Sequence, residues 1–512
     1  MPPDHSDQER PADPRIVEDG VDELKARTGE GVRWLMFGRI GVQIVSLGYA
    51  MALARLVTPA EFGVYGLAFV VLQFALYVDN MKVDSALVQA RDASETALSS
   101  AAAFGALFAV AVATTIFLLA PTIAALLQSS EIATVMRVMS AAFVLRSFFL
   151  VNRTLMRRRL MFRSQAVVDL AKVALGGGFA VWAAANGWGV WALVAYFLGR
   201  TLVECVGTIV VAPWRPSAAP TLPALTDLLR FGLPSSGSEL LVYAQYNLAD
   251  LAVGRWHGLA PLGFYQQAQA LLNKPVAWFD DVVNRLAFPV MSRHWHLTGD
   301  IRRGYTRAFG IVTAAAAPAA MAAGLLAPEL IAVLYGPAWA ASIPLLQILA
   351  PLGLLKVWQP LTSSAFQAVG RPSAELQVNV AVVVILGVLL WLSRGHGARG
   401  AAFALVAAFT THAVLSHFAL RRFIGLRVQD VLGRLAAPTI GCAVMASVAW
   451  AIRLFALEQR PLVMLLFSGC AIVAAYIGVL RLVDKKLMAD AFSWLTRRSL
   501  SSKPSIPRTP GE

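Results

Sequence analysis

The chain has 512 residues, of which 57% are hydrophobic and 14% charged, with a mean hydropathy of +0.62. Soluble domains carry about 25% charged residues, so a water-soluble globular enzyme is excluded; apolar runs of about 20 residues, each able to cross a ~30 Å hydrocarbon core, recur along the whole length. The net charge of +14 therefore has to be read from where the bases lie, since a polytopic protein concentrates lysine and arginine in the loops kept in the cytoplasm.

In chain order, residues 1–30 are polar, acid-rich and proline-containing, with no apolar core, and predict a disordered cytoplasmic tail and not a signal peptide. Fourteen spans follow, at 34–54, 62–86, 97–120, 132–151, 165–185, 190–212, 231–253, 262–290, 308–332, 341–366, 374–393, 398–419, 434–455 and 461–482. They predict an all-α polytopic membrane protein with an N-lobe of helices one to six over 31–213 and a C-lobe of helices seven to twelve over 226–422. Helices thirteen and fourteen over 434–482 and a cytoplasmic tail over 483–512 complete it.

Alternate connections carry the bases. Arg153, Arg157, Arg158, Arg159 and Arg163 follow span four, Arg293, Arg302, Arg303 and Arg307 follow span eight, and Arg421, Arg422, Arg427 and Arg434 follow span twelve. The connections between them, among them "APTIAALLQSSEI", "AANGWG" and "LYGPAWAAS", have few or none. Both termini are thus expected in the cytoplasm, and the basic balance is explained without a nucleic-acid partner. Cys205, Cys442 and Cys470 lie in apolar spans without pairing or metal-ligand spacing, so neither a disulfide nor a metal is expected.

The halves repeat. "EFGVYGLA" (61–68) aligns with "PLGFYQQA" (261–268), matching Gly63 with Gly263, Tyr65 with Tyr265 and Ala68 with Ala268. The register carries on to "VDNMKVDSALVQ" (78–89) and "FDDVVNRLAFPV" (279–290), where Asp79 faces Asp280. Charge placed alike in both halves predicts a water-accessible cleft between two lobes.

The landmarks "LARLVTPAEFGVYGLA", "SALVQARDASETALSSAAAF", "GWGVWALVA", "LGFYQQAQALLNKPV", "FPVMSR", "WAASIPLLQILAPLGLL" and "AVGRPS" occur in order over about residues 31–455. With them the chain resembles the Wzx-type oligosaccharide flippases of the polysaccharide transporter branch of the MOP superfamily. The resemblance implies a MATE-like fold of fourteen helices, residence in the bacterial inner membrane, and alternating access that carries an undecaprenyl-diphosphate-linked oligosaccharide to the outer leaflet. It also implies cation coupling, with H+ or Na+ as the ion and no other cofactor, and partnership with other polysaccharide-assembly proteins.

Depth sorts the charges. Asp79 and Lys82 lie about 26–30 Å from the outer end of span two, and with Asn80, Asp84, Asp280, Asp281 and Arg285 they are expected to form an inner-gate rim; Lys82 snorkelling beside Asp79 is the plainer reading. Arg200 and Glu204 form an i, i+4 pair, read either as purely structural or with Arg200 facing cargo. Glu239 has no opposite charge within a turn, while Lys274 lies about 18 Å into span eight. An interhelical Glu239–Lys274 pair is structural if permanent; if it breaks during motion, Glu239 is the ion-coupling group. Lys356 and Gln359 in span ten, with Arg39 and Gln43 in span one, complete the expected substrate lining, Arg39 serving equally as an interfacial anchor. A basic lumen would replace hydration lost by the diphosphate.

Two other functions remain open: multidrug or organic-cation antiport on the same fold, which the basic lining disfavours, and a non-transporting scaffold of a polysaccharide-assembly complex. An enzyme is not expected. The outer loops are too short to fold, the seven histidines are scattered, and no glycine-rich nucleotide loop precedes a lysine.

Overall fold

The structure, a computed structural model, describes residue 34 and residues 38–79, 94–455 and 460–489. The described residues form helices and no strands: α1 (38–56), α2 (Pro59–Asp79), α3 (Glu95–Leu126), α4 (Glu131–Ser147), α5 (Leu150–Arg158), α6 (Phe162–Ala185), α7 (Val190–Val211), α8 (Leu222–His257) and α9 (Leu259–Thr298). Then come α10 (Arg302–Leu325), α11 (Ala327–Leu334), α12 (Ser342–Leu349), α13 (Leu352–Ala368), α14 (Pro372–Ser393), α15 (Gly397–Ile424), α16 (Val428–Phe455) and α17 (Pro461–Val483). Within the described residues, the expected spans fall on single helices or broken pairs, while residues 35–37 of the first span and 80–86 of the second lie outside them. Among the described residues, nine stretches are long and apolar enough to cross a membrane, and α4 with α5 makes a tenth, bent by 48°.

Several boundaries differ from expectation. Residues 121–126, beyond the expected end of span three, continue α3, with Pro121 inside the helix. Pro121 cannot donate to the carbonyl of Phe117, and the Arg137 side chain of α4 donates to that oxygen at 3.3 Å. Span four breaks at Phe148–Phe149 into α4 and α5, and span ten breaks at Ala350–Pro351.

Local chemistry starts and stops the helices. Thr58 and Glu61 form a reciprocal cap at α2, Glu61 Oε2 accepting from Thr58 N at 2.8 Å and Thr58 Oγ1 accepting from Glu61 N at 3.4 Å, with Pro59 at the first helical position. Ser94 caps α3 by accepting from Ala97 N at 3.2 Å. Gly299 and Gly425 end α9 and α15 in the left-handed conformation that glycine adopts without a Cβ penalty.

Two compact units are present, residues 1–240 and 241–512, and their boundary falls inside α8. In the first, α6 packs along α7, α3 along α4, and α4 touches both α2 and α7. The "GGG" run at 176–178 acts as close packing: a Cβ on Gly176 would lie 3.0 Å from the Arg200 backbone nitrogen, and one on Gly177 would lie 2.9 Å from the Tyr49 ring. Leu53, Val57, Ala180, Ala183 and Leu193 form an apolar core there.

In the second unit α9 packs along α13, α14 along α15, and α10 along α16. One core gathers Phe279, Tyr305, Phe309, Val357, Phe366 and Leu420. Another gathers Met445, Ile472 and Tyr476, so α16 and α17 belong to this unit. Pro318 inside α10 deprives the Ala314 carbonyl of its helical donor, and the buried Tyr476 hydroxyl supplies a bond to it at 2.8 Å. Gly441 makes room for that ring, since a Cβ there would lie 2.6 Å from it.

Candidate functional site

Each unit contains a polar centre inside an otherwise apolar bundle. In the first, the 48° bend turns α5 away from α4, and Asn152 fastens α5 by donating to the Ala212 carbonyl at the end of α7, at 2.8 Å. Arg153, next in sequence, reaches Glu204 of α7 at 3.0 Å. Lys172 of α6 meets Glu204 at 3.2 Å and Asp169 at 2.6 Å. Lys172 and Glu204 are both buried, each 9% exposed, which makes this an interior ion cluster and not a surface ornament.

Arg200, one turn before Glu204 on α7, is therefore not its salt-bridge partner as expected; the carboxylate turns to cations from α5 and α6. Arg200 is half-buried, with its guanidinium 5.7 Å from the centre of the Tyr196 ring and within electrostatic range of Tyr49, Tyr65 and Glu204. The Tyr49 and Tyr196 hydroxyls contact each other beside it. Arg39 and Gln43 lie exposed on α1.

In the second unit a chain of hydrogen bonds crosses four helices. Lys356 of α13, 1% exposed, donates to Asn273 Oδ1 of α9 at 2.9 Å, and its ammonium sits 4.4 Å from the Tyr246 ring centre and 5.7 Å from that of Phe409. The Tyr246 hydroxyl donates to Gln359 Oε1 at 2.9 Å, Gln359 Nε2 donates to Gln245 Oε1 at 3.2 Å, and Gln245 Nε2 donates to the Asn379 side-chain oxygen at 3.1 Å. Lys356 and Gln359 are thus enclosed in the unit's interior in this conformation. Lys274, one residue from Asn273 and so rotated about 100° around α9, is half-buried and not part of this chain.

Below Tyr246 by one turn, Asp250 is 6% exposed; it bonds Gln266 and lies within electrostatic range of Lys356 and Tyr265. Asp250 Oδ1, Tyr265 Oη and Gln269 Nε2 are buried without a hydrogen-bond partner; Gln269 lies beside Tyr265 without reaching bonding geometry. Three such orphans gathered between α8 and α9 mark a place where a proton, a water or a small cation would find partners.

The expected inner-gate residues Asn80, Lys82 and Asp84, and the side chains of Asp79, Asp280, Asp281, Arg285 and Glu239, lie outside the described residues. Sequence reading missed Lys172, Asp169, Gln245, Tyr246 and Asp250 as site residues. The available signal was the polar stripe Gln245, Tyr246 and Asp250 in an apolar helix. Among the described residues no cluster of three or more metal-ligating acids, histidines or cysteines occurs.

A family model described as a polysaccharide biosynthesis protein matches residues 52–344, more than half of the chain. The chain belongs to this polysaccharide biosynthesis family. Among its relatives it is 29% identical over 322 residues to the succinoglycan biosynthesis transport protein ExoT of Rhizobium meliloti, covering 62% of this chain and 65% of that protein. It is 22% identical over 417 residues to the lipopolysaccharide biosynthesis protein WzxC of Escherichia coli, covering 80% and 82%. Among solved structures it is similar to the lipid II flippase MurJ in an inward closed conformation, with a TM-score of 0.70 at 13% identity over 89% of this chain and 99% of that one. An inward-facing multidrug resistance MATE transporter of the MOP superfamily follows at 0.60 and 17%, over 75% and 94%. The family member's fold is therefore the MATE-like one that its sequence landmarks imply.

Proposed function

We propose that this family member is a flippase that moves an oligosaccharide linked to a polyprenyl diphosphate from the cytoplasmic to the outer leaflet of the bacterial inner membrane, by alternating access coupled to a cation. The observation that carries this reading is the basic centre of the first unit, where Arg153, Lys172 and Arg200 outnumber Glu204 and Asp169 in the bundle interior. Guanidinium and ammonium groups give a diphosphate charge-assisted bonds where water cannot. The names of relatives concerned with polysaccharide biosynthesis and transport support the same cargo class. Organic-cation antiport on this fold calls for the opposite charge.

Coupling is assigned to α8. Asp250, buried with an unpaired oxygen, joins Glu239 as a carboxyl that can exchange a proton or Na+. Purified protein in proteoliposomes should move a fluorescent polyprenyl-diphosphate oligosaccharide across the bilayer, faster under an imposed pH or Na+ gradient. Asp250→Asn or Glu239→Gln should abolish the gradient's effect while leaving cargo binding intact, and Lys274→Ala should slow movement. Export of organic cations without movement of lipid-linked sugar would replace this reading by drug antiport. Movement insensitive to every gradient would remove the coupling.

A further inference from the structure

The ion cluster of the first unit is unbalanced. Arg153 and Lys172 both turn to one carboxylate, Glu204, and Arg200 makes no ion pair among the described residues. Among the described residues the cations Arg146, Arg153, Lys172 and Arg200 all lie within electrostatic range of Glu204, with Asp169 as the second carboxylate, and an interior charge excess is costly unless a counter-charge can enter. The cluster is also open on one side: the Arg153 side chain is 35% exposed and that of Asp169 35%, against 12% for Glu204 and 11% for Lys172. Arg153 is carried on the short helix α5, beyond the bend, at the end of the unit that also bears Arg157, Arg158 and Arg159. A ligand approaching from the basic end therefore meets Arg153 first, then Lys172, with the Glu204 carboxylate between them.

A carboxylate placed between an arginine and a lysine from different helices has the chemistry of a bound anion. We propose that Arg153 and Lys172 form a phosphate site, that Glu204 fills it in the unloaded protein, and that an incoming phosphate or diphosphate ester displaces Glu204 from it. Arg153 then offers its planar fork to two phosphate oxygens, and Lys172 a point charge to a third. The short helix α5 stays packed against α3, α6 and α7 through buried Val151, Leu155 and the Asn152–Ala212 bond, so the long, partly exposed Arg153 side chain follows the ligand while the helix that carries it stays in place. The displaced Glu204 carboxylate keeps Arg200 and Arg146 within electrostatic range, so neither the basic pair nor the acid is left without a counter-charge during the exchange. The identity of the phosphate as that of the cargo lipid rests on the proposed function; the site does not.

The test uses the full chain in nanodiscs of zwitterionic lipid, with inorganic pyrophosphate and a polyprenyl diphosphate as probes and binding read by calorimetry. Glu204→Gln should bind both probes more tightly by roughly an order of magnitude, the size of a typical coupling between competing ligands. Glu204→Asp, which keeps the charge and shortens the reach, should gain a smaller factor, and serves if the glutamine variant does not fold. The gain should vanish in Glu204→Gln/Arg153→Gln and in Glu204→Gln/Lys172→Gln. Unchanged or weaker binding by folded Glu204 variants overturns the proposal, as does a gain that survives loss of either base. Repeating the titrations in phosphatidylglycerol nanodiscs separates the sources: if that headgroup alone occupies the site and diphosphates do not compete, the ligand is membrane lipid and the cargo assignment falls. If Glu204→Gln tightens pyrophosphate binding while the wild type moves no lipid-linked sugar, the site stands and the flippase reading fails.

Discussion

Single side chains decide how the second unit holds charge in a dry interior. Lys356 is enclosed by Asn273, Tyr246 and Phe409, so its ammonium exchanges water for one strong acceptor and two ring faces. Lys356→Ala should remove a cation that lies within electrostatic range of the buried Asp250 and break its own bond to Asn273, lowering stability by about 3 kcal/mol; a thermal melt of detergent-purified protein reads it as a lower Tm. Lys356→Arg should not restore the melt, because a planar fork does not fit a pocket shaped around a point charge. Gln359→Leu should lower stability by about 1–3 kcal/mol, because the fully buried Gln245 Oε1 loses the Gln359 amide that donates to it. The cost of Lys356 was legible in the sequence, as a lysine in an apolar span. Its partners were not, since they come from α8, α9 and α15, and no spacing along one helix announces a contact across three. Glu204 makes the same point: Arg200 stands at the right helical spacing, yet Arg153 and Lys172 take the carboxylate.

At the scale of helices, prolines and glycines mark where elements lean on one another. The bond from Tyr476 to the Ala314 carbonyl answers a donor that Pro318 removes. Tyr476→Phe should therefore destabilise by about 1–3 kcal/mol in the wild type, and by much less in a Pro318→Ala background where α10 supplies its own donor. A double-mutant cycle of melting temperatures measures the coupling; additive effects would mean the two residues act independently. The glycine run gives a sharper contrast. Gly176→Val should separate α6 from α7 and lower the melt, whereas Gly178→Ala, whose Cβ meets nothing within 4 Å, should raise stability by about 0.5–1 kcal/mol. Close packing at this run was readable from composition, but which of the three glycines does the packing required the neighbouring helices. The bend between α4 and α5 had no warning either: no proline or glycine stands at Phe148–Phe149.

Over the whole molecule, the order of spans and loops was almost entirely legible, because each apolar run has to match one fixed thickness of hydrocarbon. Lysine and arginine placement then predicts sidedness. In a variant lacking Cys205, Cys442 and Cys470, a cysteine at Ser129 or Asn186 should react with an impermeant maleimide added outside intact spheroplasts, and one at Arg158 or Gly425 only after permeabilisation. The reverse pattern would invert the topology and with it the direction of transport. What remained hidden was the interior: which charges meet, and which backbone atoms a distant side chain completes.

That last kind of contact has a consequence for synthesis. The Ala314 carbonyl enters the membrane with α10, while the hydroxyl that satisfies it sits on α17, the last long helix among the described residues. At about 5–20 residues per second, the nascent protein must wait on the order of ten seconds with that oxygen unanswered. A ribosome that stops short of α17 thus releases a product with an exposed defect in its middle, one that membrane quality control can recognise although every earlier span is in place.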